Sequence, residues 1–209
     1  MKAYIIHDKN NSVSVQGVKR CLSSLKAYNS NIELEPFQQT SPETVEEHAD
    51  IFEGIKWAYP INDEISVDED IGMKLKGYRT NDVKKVFACT LSHARLWLEC
   101  LRVQEDIMIL EHDAIFTRKF QEFEWEGGVL GLNDPRGATH SSLIYHNLAS
   151  LREGVHAAPW VKDPKEMPQG LAGNSAYIIK PKFANMILIK LREKGGWPND
   201  AIMCKQFFP

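Results

Sequence analysis

The sequence predicts an α/β fold over residues 1–209 as one domain, with a mostly parallel central sheet flanked by helices. Two observations carry that expectation. Short apolar runs alternate with segments of helical period from the N-terminus onward. In addition, Ile107-Met108-Ile109-Leu110 is apolar without interruption, as a central strand covered on both faces has to be.

Taken in order, Ala3-Tyr4-Ile5-Ile6 reads as a buried first strand that ends at His7 and the polar Asp8-Lys9-Asn10-Asn11. Val15, Val18, Leu22 and Leu25 recur at helical spacing, which predicts a helix from about Ser14 to Tyr28. Ile32-Glu33-Leu34 is a short second strand. Ser41-Pro42-Glu43 has the composition of a helix start: a capping hydroxyl, a proline at the first helical position and an acid in the first turn. From Gly54 to Lys85 the chain turns irregular, acidic from Asp63 to Asp70 and then basic, and reads as a long excursion over the sheet edge. Thr90 is placed to cap a helix whose apolar face is Leu91, Ala94, Leu98 and Leu101. Gly127 to Leu132 predicts a strand running into the turn Asn133-Asp134-Pro135-Arg136-Gly137. Ala176 to Ile179 predicts another strand, followed by a helix with Pro181 near its start and Gly195 past its end. Residues 139–170 hold prolines and histidines with little periodicity.

Composition narrows the function classes. A formal net charge of -3 with 25% charged residues gives no basic excess, which argues against nucleic acid as a partner. Cys21, Cys89, Cys100 and Cys204 include no CxxC pair, so neither a zinc finger nor a disulfide framework is expected. The N-terminal apolar run is too short for a signal peptide, and no later run reaches membrane-spanning length. The expected location is therefore cytoplasmic, with no integral membrane segment.

The chemistry is expected at the end of the central strand, since ligands of open α/β sheets bind beyond the carboxyl ends of strands. There the apolar run passes straight into Glu111-His112-Asp113. On an extended backbone residues two apart point the same way, so Glu111 and Asp113 would present two carboxylates to one side. Two converging carboxylates repel unless a cation neutralises them, and Mg2+ or Mn2+ shared with substrate phosphates is the favoured arrangement. Ser92 and His93, near the expected helix start, would lie where backbone N–H groups and the dipole favour a diphosphate. The basic run Lys74, Lys76, Arg79, Lys84 and Lys85 could close over the same phosphates. Of the aromatics, Trp160 and Trp197 stand in irregular, proline-flanked stretches and are the expected acceptor contacts.

Three ordered segments resemble glycosyltransferase family 25, which includes lipooligosaccharide galactosyltransferases and collagen-modifying relatives. They are Ala88-Cys89-Thr90-Leu91-Ser92-His93-Ala94-Arg95, Ile109-Leu110-Glu111-His112-Asp113-Ala114 and Gly173-Asn174-Ser175-Ala176-Tyr177-Ile178-Ile179, and Trp197-Pro198-Asn199-Asp200 is similar to a later family element. The resemblance implies a GT-A fold, a nucleotide-diphosphate sugar donor, a hydroxyl acceptor such as a glycan, and an inverting, metal-assisted transfer. It implies the metal at Glu111 and Asp113, with Ser92 and His93 near the donor; His7, Arg79 and His112 are further expected donor contacts. It implies acceptor contacts at Gly173, Asn174 and Trp197. His112 stands where the family has an aspartate. Asp200 matches the family's late aspartate and is the first candidate for the base that takes the acceptor proton, with Asp134 the second. The sequence also leaves Asp200 open as a third metal ligand. Two other classes stay in view: a carboxylate-based glycosidase or phosphohydrolase using Glu111, and a nucleotide-sugar-binding domain that has lost its chemistry.

Overall fold

A computed structural model describes residues 1–122, 124–134, 136, 146–147, 150, 154–158, 168–171 and 173–209. Trp160 and most of the 139–170 stretch lie outside them. Strand β1 (Lys2–His7) stops at a tight turn in which Asn11 caps helix α1 (Ser12–Ala27), its side chain accepting from Val13 N at 2.9 Å and Ser14 N at 3.3 Å. Strand β2 (Glu33–Gln38) follows, then the short helix α2 (Val45–Asp50). Ser41 and Thr44 bond one another in the turn before α2, so the predicted start at Ser41 falls one turn early. After a hairpin, β3 (Ile65–Asp68) and β4 (Met73–Lys76), come helix α3 (Val83–Val103), β5 (Ile107–Glu111), β6 (Val129–Gly131) and β7 (Ala176–Ile179). Helix α4 (Pro181–Lys194), with proline at its start and Gly195 past its end as expected, and the short α5 (Asn199–Ile202) close the chain.

The main sheet has the order β2-β1-β5-β7-β6. It is mixed rather than mostly parallel: β1 pairs in parallel with β2 and β5, whereas β7 is antiparallel to both β5 and β6. Apolar runs such as Ala176 to Ile179 look the same in either direction; the path of the intervening chain sets the sense. On one face Ala3, Ile5, Met108, Leu110 and Ile178 meet Val18, Cys21 and Leu25 of α1. On the other, Tyr4, Ile107, Ile109, Tyr177 and Ile179 meet α3 and α4. The inward stripe of α1 is Ser14, Gly17, Val18, Cys21 and Leu25; Leu22, expected inside, is 38% exposed.

The 54–85 region is not a bare excursion. Met73 and Leu75 alternate with exposed Lys74 and Lys76, a period-two pattern that buries the apolar pair in the main core. Reading the lysines as a basic run hid the strand. Asp68 and Asp70 both pair with Lys194 Nζ at 2.8 Å, tying the hairpin to the end of α4. Tyr78 bridges to Ile61, and Trp57 to Gly196. Docking of this kind has a measurable consequence. Leu75→Ala should destabilise the protein by about 2–5 kcal/mol in urea unfolding, and Lys76→Ala by no more than about 0.5 kcal/mol; equal small effects would mean the hairpin is undocked.

Candidate active site

Helix α3 begins well upstream of Thr90. Asp82 caps it, its side chain accepting from Lys85 N at 3.2 Å. Thr90, Ser92 and His93 are thus mid-helix, and their N–H groups offer no anion site of the kind expected for a helix start. The reason is local: the amphipathic period continues back through Phe87 and Val83, with no break at Thr90.

The inner face of α3 instead holds the surrounding loops by side-chain bonds. Thr90 Oγ1 donates to the carbonyl of Trp197 at 2.6 Å, and Cys89 Sγ lies 3.7 Å from Asn199 Oδ1. Ser92 is buried; it donates to Ala88 O and accepts from Thr40 N, both at 2.8 Å, which leaves it committed to the scaffold. His93, also buried, has Nδ1 2.9 Å from the Tyr177 hydroxyl and Nε2 3.2 Å from Glu111 Oε1. Cys89, His93 and Glu111 bring a thiol, an imidazole and a carboxylate within 4.8 Å of one another.

Glu111 is the last residue of β5, and its N–H bonds Ser175 O at 2.8 Å. The strand does not continue through Asp113, as the alternation argument required. Ala114 N donates back to Glu111 O at 3.0 Å, so His112 and exposed Asp113 form a turn. Gly17 braces it: a Cβ there would stand 2.1 Å from the His112 carbonyl oxygen. Asp200 lies in α5, against a second glycine; a Cβ at Gly170 would meet the Asp200 carbonyl at 1.9 Å.

Charge and burial converge on this place. Cys89 and Asp200 are both reachable by solvent, yet burial is the first cause of a raised pKa at each. Groups at once wetted and hemmed in by protein lie on the floor of a recess. The negative charge of Glu111 adds to the rise at both, and the Cys89 thiol is pushed up to about 12. Tyr78 belongs to the same recess: burial raises its pKa first, then the charges of Asp200, Cys89 and Glu111.

The other expected residues separate. Asp134 is exposed and held by Arg136, whose guanidinium lowers its carboxyl to about 2; such a group is a poor proton acceptor. Trp197 is 3% exposed, packed edge-on to Tyr59 at 4.9 Å and against Phe207 at 5.3 Å, so no ring face is left for an acceptor. Its place beside Pro198 in an irregular stretch suggested an accessible ring; the Thr90 bond and the Trp57 bridge pull the segment inward. Arg79 is exposed beside Tyr78. His7 ends β1, with its Nδ1 buried and unpartnered among the described residues. Gly173, at φ 80°, packs beside Asn133, which bonds both Ser175 Oγ and Ala176 N at 2.8 Å. Asn174 is buried, and neither end of its amide has a partner among the described residues. Cys89, Tyr78 and Asn199 were missed. Cys89 shares a helical face with His93 and Trp97 at four-residue spacing and was readable; Tyr78 arrives only through the Ile61 bridge.

Residues 22–126 match glycosyltransferase family 25 (LPS biosynthesis protein), a span that holds Cys89, His93 and the Glu111–Asp113 turn. The chain belongs to that family. It is a glycosyltransferase, and its reaction accordingly has a sugar donor and an acceptor. The match ends before Asn174 and Asp200. Among curated proteins none matches the chain. Among the described residues no helix is long and apolar enough to cross a membrane.

The recess makes a prediction about its one exposed cysteine. Alkylation should fall on Cys89 alone in the folded protein, slowly at neutral pH and about tenfold faster per pH unit up to its pKa of about 12. Mass spectrometry of the labelled protein checks both the position and the slope.

Proposed function

We propose that this family 25 glycosyltransferase has a GT-A-like site and moves a sugar from a nucleotide-diphosphate donor to an acceptor hydroxyl with inversion, assisted by Mn2+ or Mg2+. The observation that carries the reading is the recess itself: Glu111 and Asp200 face one charge field there, with Asp113 in the adjoining turn. Carboxylate oxygens suit a hard divalent cation. Glu111 keeps its second oxygen unpartnered among the described residues, and Asp113 is exposed, so both are available as ligands. A bound cation would supply charge stabilisation to the departing diphosphate.

Asp200 takes the proton of the acceptor hydroxyl. Its raised pKa suits a base that works near neutral pH better than an ordinary aspartate does. The backbone N–H groups of its own residue and of Ala201 favour its charged form, against the burial that raises its pKa. Asn174, whose amide nitrogen and oxygen are both unmet among the described residues, is assigned to sugar hydroxyls. The carboxyl ends of β1 and β5 bring His7 and Glu111 to the same rim, where the family resemblance puts the donor.

The roles separate under substitution. Glu111→Gln and Asp113→Asn should each lose transfer together with manganese-dependent binding of a nucleoside diphosphate, read as a thermal shift. Asp200→Asn should lose transfer by roughly a hundredfold or more while keeping that binding. Unchanged metal-dependent turnover in both Glu111→Gln and Asp113→Asn sinks the proposal. Asn174→Leu should raise the donor or acceptor KM and spare the manganese shift.

A further inference from the structure

We propose that His93 is a positioning residue, locked by a buried hydrogen-bond relay as the neutral Nε2–H tautomer, which clamps one oxygen of Glu111 and turns the other toward the donor. The inference rests on the donor reading above for its purpose, but its geometry stands apart from it.

The relay begins at Trp97, whose indole N–H can only donate and lies 2.9 Å from the Tyr177 hydroxyl oxygen. Tyr177 is fully buried, and burial raises its pKa well above the usual value, so the phenol keeps its proton. That proton needs an acceptor. Among the described residues the one on offer is His93 Nδ1 at 2.9 Å. Nδ1 therefore accepts, the ring proton resides on Nε2, and Nε2–H donates to Glu111 Oε1 at 3.2 Å. The two alternatives each fail on one atom. An Nδ1–H tautomer, or an imidazolium, would point a second N–H at the Tyr177 oxygen and strand the phenol proton in the core.

The grouping of Cys89, His93 and Glu111 is thereby not a three-ligand metal site. Coordination through Nε2 while Nδ1 accepts from Tyr177 would need an imidazolate, and coordination with Nδ1 protonated would break the relay. A bonded outer partner of this kind orients a carboxylate and typically changes affinity or activity about 10–100-fold when removed.

The test uses full-length protein. Nitrogen NMR of the resting enzyme, with His93 assigned among its seven histidines by the loss of its signals in His93→Gln, should show the proton on Nε2. Tyr177→Phe should shift that signal away from pure Nε2–H. His93→Leu should lower transfer by about 10–100-fold, and His93→Gln, whose amide N–H reaches the Nε2 position, should recover most of that loss. A wild-type Nδ1–H tautomer, or Gln and Leu variants equally impaired, overturns the relay. Manganese-dependent thermal shifts with uridine and guanosine diphosphates keep the readings apart. Binding by wild type alongside an Nδ1–H spectrum defeats the relay alone. No binding of either nucleotide defeats the donor site, and with it the purpose of the clamp, while the tautomer result stands.

Discussion

The site depends on a constraint imposed by helix α3. Its inner face is buried against the sheet and α4, yet it carries Thr90, Ser92 and His93, each at most 1% exposed. A buried polar group left unmet costs about 1–3 kcal/mol, a sizeable share of a total stability of about 5–15 kcal/mol. Each side chain therefore has to find a partner, and the partners are the segment after β2, the end of β5 and the stretch after α4. Ser92 takes Thr40, Thr90 takes Trp197 and His93 takes Glu111. Arg95 adds the carbonyl of Gln38 at 3.2 Å. Satisfying one helix assembles the walls of the recess.

Two close backbone contacts finish that assembly. Gly17 admits the carbonyl of His112, and Gly170 admits that of Asp200, at separations no side chain would permit. The Glu111 turn and the Asp200 helix are thus each seated on a glycine from another part of the chain. The Gly17 contact also couples α1, which covers the opposite face of the sheet, to the placement of the Glu111 turn.

The recess is electrostatically unfavourable as it stands. Cys89, Tyr78 and Asp200 all have pKa values raised by burial and by neighbouring negative charge. A fold optimised for stability alone would dilute such charges or pair them, as it does at Asp134 with Arg136 and at Asp68 with Lys194. Titratable groups with raised pKa values, gathered beside the carboxylates of Glu111 and Asp200 in a hemmed-in, wetted place, are the pattern of a functional site. They fit the proposed metal-assisted transfer, whose cation would offset the two carboxylates.

Much of this was legible in the residues. The all-apolar Ile107 to Leu110 run marked the central strand, and Glu111 after it marked the candidate site, because burial on both faces and the strand-end rule are local properties of sequence. Pro181 and Gly195 bounded α4 for equally local reasons. What escaped were relations between distant segments. The sense of β7, the inward turn of Trp197, the docking of Met73 and Leu75, and the arrival of Asp200 and Tyr78 beside Glu111 are decided by which surfaces the chain path brings together. The sequence by itself determined which residues could be buried, which could bond and where the carboxylates stood along the chain. Only the tertiary structure decided their partners, because a hydrogen bond or a close backbone contact is a property of two segments and neither carries it alone.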